Sequence, residues 1–292
     1  MDLQEAVSAI FTFDNYAQLL PLVRNSLIAG AVLGLLGGLI GTFVMMRDLA
    51  FAVHGIAELS FAGAAFALLV GVNVVGGSLV GSVLAALVLG LMGIRARDRN
   101  SIIGVVMPFG LGLGILFLAL YEGRAANKFG LLTGQIVSVD DVQLNLLVGC
   151  ALAVILALVA IWRPLTFASA DPDLAEARGV PVRGLSIVFM VLLGVAVALS
   201  IQVVGALLVL ALLITPAAAA LKVTSAPGLA VVLSVVFACT SVVGGILLAL
   251  GGRIPISPYV TTISFAIYLV CRFVGGRRSR PRVTGTTSGL GV

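Results

Sequence analysis

The stretch FAVHGIAELSFAGAAFALLVG, residues 51–71, carries the chain's single histidine, His54, and four positions on a glutamate, Glu58, inside a run otherwise apolar enough to span a membrane. An i, i+4 spacing sets both side chains on one helix face, near enough to address a common point. Imidazole nitrogen and carboxylate oxygen together suit Zn²⁺, Mn²⁺ or Fe²⁺. The same two groups could pass protons, or could hydrogen-bond each other or a neighbouring helix and serve packing alone. An ionisable group in a spanning helix costs a few kcal/mol on insertion scales, which favours a functional role facing the bundle interior over a packing role.

The elements that must position this pair follow from composition. Of 292 residues, 61% are hydrophobic and 10% charged, with a mean hydropathy of +1.23. That balance excludes an ordinary soluble domain and predicts a polytopic all-α membrane protein. Apolar runs of about 20 residues, the length of one helical crossing, fall at 19–46, 49–71, 74–94, 101–121, 142–162, 184–201, 203–221, 228–251 and 258–275. The sixth and seventh are joined almost without a turn at LSIQVVGALL, so one of them is a candidate for a broken or re-entrant segment. Eight to nine transmembrane helices are therefore expected.

The net charge of +5 could suggest a nucleic-acid partner, but the arginines lie in short loops and a terminal cluster, where they set membrane orientation instead. RARDRN (95–100), Arg163, Arg178, Arg183, Lys222 and the tail CRFVGGRRSRPR gather on one side if the chain makes nine passes. The positive-inside rule then places the N-terminus outside and the C-terminus inside. MDLQEAVSAI is acidic and has no basic leader or cleavage site, so the first hydrophobic run is expected to stay as an anchor. Cys150, Cys239 and Cys271 each stand alone in an apolar run, which excludes a disulfide framework and a thiolate metal site. The domain reading is an external segment 1–18, a transmembrane domain 19–275 and a basic cytoplasmic tail 276–292, disordered toward its end.

One segment breaks the apolar pattern. Residues 163–183 form the longest cytoplasmic loop, and PDLAEA within it has the signals of a short helix. Asp171 or Asp173 can cap it, Pro172 suits the first turn, Arg178 lies near its end and Gly179 can supply the left-handed residue that stops it. The chain has no GxxxxGK[ST] phosphate loop, no HExxH and no GxSxG turn, which leaves little for an ATPase or hydrolase to be built from.

FASADPDLAEARGVPVRGLSIVFMVLLG followed by QVVGALLVLALLITPAAAALKVT resembles the signature half of the membrane permeases of bacterial ABC importers for zinc, manganese and iron. Ala175, Ala177, Gly179, Val180 and Pro181 fit the family's loop, and Val204, Gly205, Leu207, Ala211, Leu212, Pro216 and Ala217 fit the segment after it. RNSIIGVVMPFGLGLGILFLAL and FGLLTGQIVSVDDVQL resemble further family segments, so the likeness runs from about residue 24 to 275. In many members the second crossing carries an Asp-x-x-x-His pair. Aligned from Arg47 without a gap, His54 falls at the aspartate and Glu58 at the histidine, so the pair is kept and its order reversed.

The resemblance implies an ABC importer permease fold and a transport subunit of the bacterial cytoplasmic membrane, not an enzyme. A homodimer would form the path for a divalent ion, Zn²⁺ or Mn²⁺ and less readily Fe²⁺, with no permanently bound cofactor. It further implies a cytoplasmic ABC ATPase dimer that hydrolyses the ATP, and an extracellular or periplasmic metal-binding protein. His54 and Glu58 would contact the metal. Asp171, Asp173, Glu176, Arg178 and Gly179 would belong to a coupling helix seated on the ATPase. The competing readings are a proton-coupled secondary metal transporter and an ABC permease for iron chelates.

Overall fold

The computed structural model describes residues 20–92, 96–123, 139–205, 208–250 and 256–278, and all regular structure among them is helical. A single 3₁₀ turn, Leu20–Val23, leads into α1 (Arg24–Met46). It is followed by α2 (Ala50–Val70), α3 (Val74–Met92), α4 (Ala96–Leu120) and α5 (Asp141–Ala160). The connector holds α6 (Trp162–Ala170) and α7 (Pro172–Ala177), and α8 (Val182–Val204) enters the bundle again. The chain ends with α9 (Val209–Leu213), α10 (Thr215–Val223), α11 (Pro227–Leu250) and α12 (Ile256–Arg278). The external segment 1–18, most of the 121–141 stretch with its FGLLTGQIVS motif, Leu207 and the last tail residues lie outside the described residues.

Among the described residues eight helices are long and apolar enough to cross a membrane, and Val209–Val223 is a shorter apolar stretch. The run at 203–221 is therefore not one helix. Gly205, at φ 85°, ends α8, and Pro216, which has no N–H to give to the Leu212 carbonyl, divides the remainder into α9 and α10. The broken pair still reverses the direction of the chain. Gly37 and Gly41 of α1 approach Leu212 and Leu213 in that order, so α9–α10 runs parallel to α1. Gly34 and Gly38 meet Cys239 and Val235 in reverse order, so α11 runs antiparallel to it. Lys222 and Gly275 meet at one end of the bundle. Among the described residues the chain thus alternates direction from one long helix to the next, with the short broken pair taking its place in the series, and the end that holds the connector also holds Arg163, Arg178, Arg183 and Lys222.

The inner helices are α1, α2 and α8, whose Leu33, Leu36, Ile40, Phe43, Val53, Ile56, Phe189 and Leu193 build one core with Leu212 and Leu213 of the broken pair. Large apolar side chains such as Val80, Val105, Val142 and Phe273 point outward. In water such a surface would drive association, and in a bilayer it is the surface that meets lipid.

Without a hydrophobic force between helices in lipid, backbone approach matters most where the small residues are. A Cβ on Gly41 would run into the Leu213 carbonyl and sit 3.4 Å from the Ala217 Cβ. One on Gly104 would meet nothing within 4 Å. Gly41→Ala is accordingly expected to lower stability by about 1–3 kcal/mol, the scale of overpacking a filled interface, while Gly104→Ala leaves it unchanged or raised. The thermal midpoints of the two variants in detergent, compared with the parent, check this.

Candidate functional site

The start of α2 is set by how α1 stops. Asp48 adopts φ 54°, the left-handed conformation more often given to glycine or asparagine. The Leu49 N–H then donates to the Val44 carbonyl at 2.8 Å and the Asp48 N–H to the Met45 carbonyl at 3.4 Å. This paired closure of a helix end buries Leu49 against Val44. From Leu49, whose carbonyl accepts the first bond from Val53 at 3.1 Å, α2 proceeds at once, and His54 and Glu58 come in its first three turns.

Their side chains meet as the spacing predicts. His54 Nε2 and Glu58 Oε1 are 3.5 Å apart, with the histidine side chain 33% and the glutamate 15% exposed. Among the described residues no cluster of three or more His, Cys, Asp and Glu exists, so His54 and Glu58 stand as a pair. His54 opens on a cleft of about 520 Å³ whose far wall is Met107 of α4 and Leu210, Ala211, Ile214 and Thr215 at the helix break. Ala50 and Phe51 complete it.

The break frees backbone groups beside this cleft, and one of them has a partner from a distance. Ser264 of α12, itself buried, donates its hydroxyl to the Ala211 carbonyl at 3.2 Å. Gln202, nearer to the break along the chain, does not take that role. Its amide nitrogen is buried with no protein acceptor, and the residue lines a separate cavity of about 310 Å³ with Ser78 and Gln143 toward the other end of the bundle. Ser264 carries no local signal, because the bond spans 53 residues. Met107 gives none either, being one apolar residue within an apolar helix.

At the connector, Asp171 rather than Asp173 is the cap, its carboxylate accepting from the Leu174 N–H at 3.0 Å with Pro172 in the first turn. Gly179, at φ 81°, ends α7, and the Val180 N–H returns to the Ala175 carbonyl at 3.0 Å. Ala175 is the one buried residue of α7; Asp173, Leu174, Glu176 and Arg178 face outward. The polar stretch before it, which the sequence suggests is open loop, is helical as α6, where Thr166 and Ser169 donate to the carbonyls four residues back. His54 and Glu58 on one hand and the α7 residues on the other are thus two separate sites. At the opposite end of the bundle Asp140 caps α5 by accepting from the Gln143 N–H at 2.7 Å, and Asp141 accepts from Asn25 at 2.8 Å. Both carboxylates thus fasten the start of α5.

Known proteins match the sequence and the fold over nearly the whole chain. Residues 20–275 match the model of the ABC 3 transport family. The chain is 29% identical to the manganese transport system membrane protein MntC of Halalkalibacterium halodurans over 77% of each chain. It is 25% identical to the manganese import system permease protein ScaB of Streptococcus parasanguinis, over 88% of this chain and 92% of that one. The solved structure of PsaBC from Streptococcus pneumoniae in complex with Fab superposes with a TM-score of 0.80 at 25% identity, covering 90% of this chain and 96% of that one.

Proposed function

The chain belongs to the ABC 3 transport family, and from that premise we propose that it is the membrane-spanning permease subunit of an ATP-driven importer of a divalent transition metal, manganese first and zinc as its competitor. The observation that carries the reading is the His54–Glu58 pair, 3.5 Å apart on one face of α2, of which His54 lines the cleft at the helix break. The carboxylate suits Mn²⁺ and the imidazole suits zinc, so the pair alone favours neither strongly. The relatives named for manganese tip the choice.

Two ligands bind a transition ion weakly, and weak binding is what passage requires, since the ion must leave again. A second copy related by a two-fold axis would bring a second histidine and glutamate and close a four-ligand site at the dimer axis. The exposed Phe51 beside His54 and the open side of the cleft leave room for that copy. The basic connector end faces the cytoplasm in this reading, with the protein in a bacterial cytoplasmic membrane. There α7 seats on an ABC ATPase that supplies all nucleotide chemistry, while a metal-binding protein delivers the ion at the opposite face.

The experiment is uptake of radioactive manganese in cells stripped of their own importers and supplied with this chain, its ATPase and its binding protein. Accumulation that needs all three and is competed by zinc is the expected result. Uptake that persists without the ATPase and collapses with the proton gradient would refute the proposal in favour of a proton-coupled carrier.

A further inference from the structure

One side chain joins the turn before α2 to the connector. Arg47 follows α1 and its guanidinium donates from Nη1 to Ser169 Oγ of α6 at 3.5 Å and from Nη2 to Ser186 Oγ of α8. Its Cζ also lies 5.7 Å from the ring centroid of Phe189, which is buried in the core. Both serines give their own protons elsewhere: Ser169 to the Leu165 carbonyl at 2.6 Å and Ser186 to the Val182 carbonyl at 2.9 Å. A hydroxyl that donates to its helix keeps lone pairs for a cation, so each serine is committed as an acceptor. The contact is extended by Phe43, edge-on to Phe189 at 6.1 Å and to Trp162, the first residue of α6, at 4.9 Å.

Arg47 therefore holds the last turn of α6, the first turns of α8 and the α1–α2 turn as one piece. That turn has little slack, because the left-handed Asp48 and the buried Leu49 fix it and α2 follows directly. His54 is seven residues from Arg47. We propose that Arg47 is the positioning residue that carries a displacement of α6 and α7 into the helix that bears His54 and Glu58. The inference rests on the permease reading and deepens it, naming the link between the ATPase end and the ion site. A planar fork with two donor edges and a face for stacking fits this place; a lysine ammonium, a compact point charge, cannot hold both serines and the ring together.

The test uses the complete complex of permease, ATPase and binding protein in lipid vesicles, with manganese as the transported ion. Arg47→Lys and, separately, the double variant Ser169→Ala/Ser186→Ala are measured for assembly, thermal midpoint, ATP hydrolysis and metal moved per ATP hydrolysed. The expected result is normal assembly and hydrolysis with metal moved per ATP down about tenfold in each, on the scale of altered coupling between distant sites. Adding Arg47→Lys to the serine pair should then lower it little further. An unchanged ratio in both variants overturns the inference. So does a parallel loss of assembly and hydrolysis in both, which marks Arg47 as ordinary support. A parent complex that moves no metal overturns the permease reading itself, and this inference with it.

Discussion

Glu58→Ala and His54→Ala are each expected to lower metal uptake by about a hundredfold, at least the scale on which perturbing a metal site changes its affinity, with assembly and basal ATP hydrolysis unchanged. The physical case rests on what else the pair could do. Were it a packing device, removing one partner would leave an ionisable group alone in the bundle and weaken the fold. Yet deleting Glu58 also removes a charge whose placement in a spanning helix costs about 3 kcal/mol, and the two effects oppose. A ligand role has no such offset, because each alanine leaves a single donor where the pair stood. The double variant should transport no worse than either single one, since two halves of one site are lost once. Exchanging the two residues, His54→Glu with Glu58→His, keeps one carboxylate and one imidazole on the same helix face and should keep transport well above the alanine variants. Thermal midpoints in detergent and manganese uptake in cells decide together. Normal uptake by both single variants sinks the ligand role, and loss of uptake with a matching loss of assembly returns the pair to packing.

Reversing charge at the exposed face of α7, with Asp173→Lys and Glu176→Lys together, is expected to lower uptake about tenfold and to detach transport from ATP hydrolysis. The six-residue helix is held by the Asp171 cap, the Gly179 stop and one buried alanine, Ala175. Everything else it offers faces outward, so the substitutions leave the bundle intact and act on a partner's surface. A charged pair facing a complementary partner governs association more than internal stability. Asp171→Ala should be milder, loosening the helix by about 1 kcal/mol through its lost cap. Co-purification of the ATPase and the ratio of metal moved to ATP hydrolysed are the measurements. Unchanged association and uptake in the double charge reversal would remove α7 from the proposed contact.

What was legible in the sequence had causes close together along the chain. The first-turn proline and terminating glycine of α7 could be read directly and its cap narrowed to Asp171 or Asp173, all within nine residues, and the shared face of His54 and Glu58 was as plain. The seventh apolar run looked like a helix because hydropathy does not register a missing N–H. Only Pro216 and the crowded junction near Gly205 marked it. α6 was hidden for the opposite reason: its polar residues suggest loop, while Thr166 and Ser169 satisfy themselves on the helix's own carbonyls. Arg47 and Ser264 were out of reach altogether. Their partners lie 122, 139 and 53 residues away, and no local pattern distinguishes an arginine that sets orientation from one that joins three elements.

The bond from Ser264 to the Ala211 carbonyl bears on how the protein is made. When the ribosome has completed residues 209–223, the hydroxyl that serves this break is still 41 residues from being synthesised, counted from Val223 to Ser264. A segment too short to span alone, with an unserved carbonyl, has no stable home in hydrocarbon. Stable burial of this break in the bilayer therefore depends on α12, the element that carries Ser264.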